Sequence, residues 1–420
     1  MSALFIIIGI AVILVTIYLL FKQHDARVVL LGAGLLLCVV GGTPMDGLNA
    51  FAKSMTKGGL ITSICSCMGF AMVVRFTGCD KHLINALAYV ISKVRLFLIP
   101  GVVIGTYLVN IAVPSASGTT AAAGTIFIPL LMASGVNPAM AAAAVKCGTY
   151  GSMLNPGLAH NAFVAKIASV TPMDVISFHY LASIASVVTA AIVLTIIAYV
   201  LKENKGYVAD NLKIEEGFKV KAIFAIMPII PLLILVLGTA GIVPSLKMGV
   251  PHAMIIGMIL TMAVTRMNPI EIGKSFYNGM GKAYGDIMGI IISAGVFVAG
   301  LKAIGVVDGF IDVMLNNPAV IKLCAAVGPF LLGALIGSGD AATFAFNEAV
   351  TPHAADFGMT IVQMGSMATL GGTLGRTISP IAGATIIAAG IAGVNPMEVA
   401  KRNSIPMLCS LVIGMMLLAF

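Results

Sequence analysis

With 59% hydrophobic and only 10% charged residues over 420 positions, the chain is excluded from the soluble folds, which run near a quarter charged. A mean hydropathy of +1.07 along the whole length means apolar surface facing lipid, with room for about ten helical crossings. The net charge of +8 includes no basic run interleaved with aromatics, so it reads as positive loops rather than as a nucleic-acid surface.

In chain order, the apolar runs of the first half are 4–20, 28–40, 60–74, 97–113, 120–132, 139–167 and 176–201. The first lacks a basic flank and a small-residue cleavage site, so it reads as a membrane helix and not as a leader. Segments 45–56 and 80–93 are amphipathic and too short to span. Run 97–113 leads into the polar tip PSASGTT and a short apolar return, which predicts a re-entrant hairpin at about 97–133. Run 139–167 is too long for one straight crossing and contains Asn155-Pro156, which predicts a broken helix at about 138–169. The polar stretch 202–217 reads as a cytoplasmic linker between halves 1–201 and 218–420. The second half has its own hairpin at about 320–353 and its own broken helix at about 358–391.

The halves match each other. Pro44, Phe51, Met55 and Lys57 return as Pro269, Phe276, Met280 and Lys282 at offset 225. Ser115, Thr120 and Pro129 return as Ser338, Thr343 and Pro352 at offset 223, and Gly151, Pro156, Pro172 and Met173 as Gly375, Pro380, Pro396 and Met397 at offset 224. Three ordered matches at nearly one offset predict a duplicated structure. Five crossings plus a hairpin is an odd count, so the second copy must be inverted. The fold class expected is an all-α polytopic membrane protein of two inverted repeats. Each repeat has five transmembrane helices, a re-entrant hairpin and a broken helix. In this topology one face carries 16 Lys/Arg and the other 5, with 3 more inside apolar segments, which puts the first face in the cytoplasm and both termini outside.

Inverted repeats with discontinuous helices are a recurrent plan of secondary transporters, whose site lies where the breaks meet. Helix starts inside the membrane turn free N–H groups on the cavity and suit an anion. The tips SASGTT and SGDAAT are small and hydroxyl-rich, and small residues also serve close helix packing. Arg376 precedes the break at Ser379-Pro380, where a guanidinium suits a carboxylate or the orphan carbonyls of the break. The substrate shell expected is Ser115, Ser117, Thr119, Asn155, Ser338, Thr343, Arg376, Thr377 and Ser379. Asp340 and Glu348 are the candidates for a coupling proton, with pairing to Arg376 as the other reading. Lys146 and Lys166 read as snorkelling cations and His160 as a satisfied core histidine. The seven cysteines read as small core residues, and no metal site or cofactor is expected.

No HExxH, GxSxG or GxxxxGK[ST] motif occurs, which removes zinc-protease, hydrolase and ATP-driven readings. A carrier of small organic anions remains. Beside it stand a membrane enzyme using Asp340 and Glu348, and a cation/proton antiporter. The duplication favours the carrier, because alternating access needs two equivalent halves and catalysis does not.

The runs GSGDAATFAFNEAVTP (337–352), LGRTISPIAGATIIAAGIAGVNPMEVAKRNSIPML (374–408), AVPSASGTTAAAG (112–124) and FYNGMGKAYGDIMGIIISAGVFVAGLKAIG (276–305) resemble the DcuC family of anaerobic four-carbon dicarboxylate carriers. The resemblance covers most of the chain. It implies succinate efflux or fumarate–succinate exchange across a bacterial inner membrane, with malate a further candidate. Its superfamily implies homodimers whose hairpin-bearing part moves as an elevator. Sodium-coupled members of that superfamily carry Ser-Asn-Thr at both tips, and this chain has neither.

Overall fold

Helix starts are written into the sequence as a capping residue followed by proline. Proline presets the helical φ and lacks the N–H that would be orphaned there, while the preceding side chain accepts from the first turn. Asn137 accepts from the N–H of Ala139, Asn268 from Ile270 and Asn395 from Met397. Thr171 and Asp174 form a reciprocal capping box ahead of the longest single α-helix, Pro172–Val200. The repeated TPMD, NPIE and NPME motifs therefore mark the same structural event.

The computed structural model describes residues 3–22, 24–56, 58–93, 97–208, 218–307, 309 and 318–419. Lys57 of the repeat and positions 209–217 of the linker lie outside them. No strand occurs among the described residues, in keeping with a solvent that leaves backbone groups only intra-helical partners. Among the described residues six helices are long and apolar enough to cross a membrane: Gly58–Phe76, Ala116–Ala133, Pro172–Val200, Ala222–Thr239, Pro269–Ala303 and Pro396–Ala419. Six shorter apolar helices accompany them, and the chain is an all-α polytopic membrane protein. The amphipathic segments are the helices Pro44–Met55 and Cys79–Ser92.

Helices Leu98–Ala112 and Ala116–Ala133 meet at the tip Val113-Pro114-Ser115. In the second half Pro318–Ile336 and Gly339–Ala349 meet at Gly337-Ser338. Ser115 accepts from the Gly118 N–H at 3.1 Å and Ser338 from the Ala341 N–H at 3.2 Å, so each tip serine starts its returning helix. The long run after the first hairpin is divided into Pro138–Cys147, a 3₁₀ turn Gly151–Leu154 and Ala159–Ala168. Its counterpart is Ile361–Thr377, interrupted at 378–382, then Gly383–Ala392.

Packing exchanges the two halves. Helix 26–40 lies on 289–303, and 250–265 lies on 58–76; helix 44–55 also packs on 289–303, and 269–283 on 58–76. Helices 172–200 and 396–419 pack along each other, where Ser186 Oγ donates to the Ser410 carbonyl (3.1 Å) and Ser410 Oγ to the Ser186 carbonyl (2.8 Å). Each broken helix approaches the outgoing limb of its own hairpin through glycine. A Cβ on Gly151 would lie 2.1 Å from the Tyr107 carbonyl oxygen, and one on Gly375 would lie 2.0 Å from that of Phe330. Backbones this close need a residue without a side chain, which is why these repeat-matched positions are glycine.

Candidate functional site

The two hairpin tips and two breaks bring their polar residues together, and hydrogen bonds fix the first tip to the first break. Asn110 donates to the Val113 carbonyl (3.1 Å) and accepts from the Ser152 N–H (2.8 Å). Asn155 donates to the Ile111 carbonyl (2.6 Å) and accepts from the Gly157 N–H (2.7 Å) and the Cys67 thiol (3.2 Å). The second break joins the first through Arg376, whose Nη2 donates to the Thr149 carbonyl at 3.0 Å. Its Nε is buried and has no hydrogen-bond partner among the described residues.

In front of this junction lies a cavity of about 250 Å³. Hairpin residues Ser115, Ser117 and Asp340 line it, with Ser152, His160 and Arg376 from the broken helices. Helix 58–76 adds Arg75, and the continuous segment 269–303 adds Lys282 and Asp286. A π-helical turn at Tyr284–Met288 interrupts the α-register beside Lys282. Each lining acid has a basic neighbour: Asp286 Oδ1 is 3.1 Å from Arg27 Nη1, and Asp340 Oδ1 is 3.2 Å from His160 Nε2. The His160 contact is at ion-pair distance without hydrogen-bond alignment. Three basic side chains, Arg75, Lys282 and Arg376, against two carboxylates leave the cavity electropositive, and two helix starts, at Ala116 and Gly339, add partial positive charge.

The candidates named from sequence separate into two groups. Ser115, Ser117, Arg376 and Asp340 reach the cavity. Thr119, Asn155, Ser338, Thr343, Thr377, Ser379 and Glu348 are not among the residues lining it. Thr119 donates to the Val113 carbonyl, Thr343 to that of Ala368 and Thr377 to that of Thr373, so these hydroxyls hold backbone. Ser379 Oγ is buried without a partner among the described residues. Glu348 lies instead in a separate cavity of about 360 Å³ with Lys53 and Lys166, away from Asp340, so the two acids do not form one carboxylate pair. Arg376 bonds a carbonyl and Asp340 has His160 beside it, where sequence had left an Arg376–Asp340 pair open.

His160 is a correction, since it borders the cavity next to Asp340 instead of being a core residue satisfied by hydrogen bonds. Arg75, Lys282 and Asn110 were not singled out in sequence. Lys282 carried one signal, its place in the repeat match, whereas Arg75 is an ordinary helix-terminal basic residue. Among the described residues no group of three or more His, Cys, Asp or Glu is placed to hold a metal ion.

Many apolar helices around an electropositive cavity at helix interruptions define a polytopic membrane transport protein. The chain belongs to the DcuC family, described as C4-dicarboxylate anaerobic carrier, whose pattern matches residues 43–420. It is 44% identical over 266 residues to an uncharacterised transporter of Haemophilus influenzae, covering 60% of this chain and 95% of the relative. It is 24% identical over 447 residues to the anaerobic C4-dicarboxylate transporter DcuC of Escherichia coli K12, covering 97% of this chain and 95% of that protein. Family and relatives are transporters, not enzymes.

Proposed function

We propose that this protein carries C4-dicarboxylates such as succinate, fumarate or malate across a bacterial inner membrane, by exchange or with protons. The observation that carries the reading is the electropositive cavity where the first hairpin tip, the first break and Arg376 converge. A dianion leaving water needs several oriented donors. Arg376 supplies a guanidinium for one carboxylate, with the Ser115 and Ser117 hydroxyls and the helix start at Ala116 beside it. Thr119, Asn155, Ser338, Thr343 and Thr377 complete this site by holding the tips and breaks in place, and the unpartnered Ser379 hydroxyl remains a candidate donor to substrate. Purified protein should therefore be stabilised against heat by succinate in a saturable way. Stabilisation by amino acids or alkali cations, with none by any dicarboxylate, contradicts the assignment.

Asp340 is the proposed coupling group, since it borders the cavity beside His160 and can exchange a proton as substrate charge arrives. Asp340→Asn should leave counterflow largely intact while flattening the pH dependence of net flux. Loss of substrate binding in this variant, with unaltered pH dependence in what flux remains, assigns Asp340 to the binding shell. Glu348, in its own cavity with Lys53 and Lys166, is the second candidate.

The reading includes two inverted repeats, each of five crossings and a re-entrant hairpin. The reciprocal Ser186–Ser410 bonds and the exchanged helix pairings support it, because residues related by the repeat offset meet each other as around a local two-fold axis. The family resemblance adds a homodimer and an elevator movement of the hairpins. Lys/Arg asymmetry puts the 202–217 linker in the cytoplasm and both termini outside. Cysteines replacing the exposed Lys205 and Lys247, in a background without native cysteines, should then label from opposite sides of the membrane. Labelling of both from one side breaks the crossing count.

A further inference from the structure

A C4-dicarboxylate has a carboxylate at each end, and Arg376 accounts for one. We infer that Arg75 binds the other, so that the substrate spans the cavity between two guanidiniums and is told from a monoanion by the second. This rests on the C4-dicarboxylate reading above and names the group that sets its specificity.

Arg75 ends helix 58–76, which belongs to neither hairpin nor broken helix. Its Nη1 is 3.6 Å from the place a Cβ on Gly118 would take, so it hangs over the first turn of the helix that returns from the first tip. Arg376 stands in the matching place at the second tip, where its Cδ would lie 3.0 Å from a Cβ on Gly339. The Arg75 guanidinium thus covers the start of the first returning helix, while the Arg376 side chain passes over the start of the second on its way to the Thr149 carbonyl. At the first start a carboxylate meets both a planar pair of donors and the helix's free N–H groups.

The charges around Arg75 favour an incoming anion over an internal partner. Among the described residues the Arg75 side chain makes no hydrogen bond and no ion pair within 4 Å, and neither does that of Lys282. The acids that share the cavity already have basic neighbours, Asp286 in Arg27 and Asp340 in His160. Asp80, on the next helix, feels the Arg75 charge, but its carboxylate accepts from the Lys81 N–H at 2.8 Å. Arg75 also borders a wider cavity of about 1400 Å³ lined by helices 79–92 and 116–133, so its side chain is shared by both spaces. Lysine at 282 adds field at the same wall but no planar fork. A substrate held at both ends ties helix 58–76 to helix 361–377, and its departure frees them.

The test compares succinate with succinamate, which has the same length and one carboxylate replaced by an amide, as ligands of the reconstituted full-length protein. Wild type should bind succinate the more tightly. Arg75→Gln should weaken succinate about tenfold or more and leave succinamate within about twofold, and Arg75→Lys should recover part of the loss. Arg376→Gln should weaken both ligands. Equal weakening of both ligands by Arg75→Gln, or no change in either, overturns the inference. Should Arg75→Gln not fold, Arg75→Lys decides by the same ratio: an unchanged succinate preference overturns the assignment. Wild type that binds neither ligand refutes the dicarboxylate reading itself, an outcome reached before any variant is made.

Discussion

Arg376→Lys is expected to weaken succinate binding by about 1–3 kcal/mol, the scale of losing a charge-assisted, geometrically matched contact. Lysine keeps the positive charge, so long-range attraction into the cavity survives. What it loses is the planar fork that reaches two acceptors at once. Arg376 uses that fork across the molecule, with Nη2 on the Thr149 carbonyl of the first break and the rest of the group at the cavity wall. A single ammonium serves the carbonyl or the substrate, not both in the same geometry. Titration of purified variant and wild type with succinate measures the difference. Unchanged affinity in Arg376→Lys, together with lost binding in Asp340→Asn, means the two side chains have each other's role.

Gly375→Ala should cost the fold about 1–3 kcal/mol and transport activity with it, the range for forcing a methyl group into packed space. The new Cβ would sit 2.0 Å from the Phe330 carbonyl oxygen, a backbone atom that cannot swing aside. Relief requires helix 361–377 to move away from 318–336, and Arg376 is the next residue. Gly390→Ala is the control, since nothing lies within 4 Å of its added methyl and alanine favours the helix it sits in. Thermal unfolding in detergent should place Gly375→Ala well below wild type and Gly390→Ala at or above it. Equal melting of the two variants removes the argument that close approach of these backbones holds the break in place.

The interruptions were legible because they need particular residues. Proline alone did not mark them, since Pro129, Pro329 and Pro406 lie inside continuous helices; it was proline combined with asparagine, serine or glycine, at positions matched between the two halves of the sequence, that announced the tips and breaks. The roles of hydroxyls were not legible. Ser117 and Thr119 are two residues apart in one small-residue run, yet one is exposed at the cavity and the other is fully buried on a backbone carbonyl. Nor was the parting of Asp340 from Glu348. Eight residues along a helix is a rise of about 12 Å, enough to put two acids of one helix in different cavities. Arg75 and Lys282 were invisible as a pair because they stand about 200 residues apart and meet only through the packing of helices 58–76 and 269–283. Periodicity says which face of a helix is polar but not which other helix faces it.

Counterflow in proteoliposomes tests the central claim most directly. Vesicles loaded with unlabelled succinate and diluted into labelled succinate should show transient accumulation of label. Fumarate and malate should compete, and Arg376→Lys should shift the half-saturation upward. Label that enters no faster than into protein-free vesicles with every dicarboxylate, from protein that counterflows an amino acid or drives cation–proton exchange, contradicts the account.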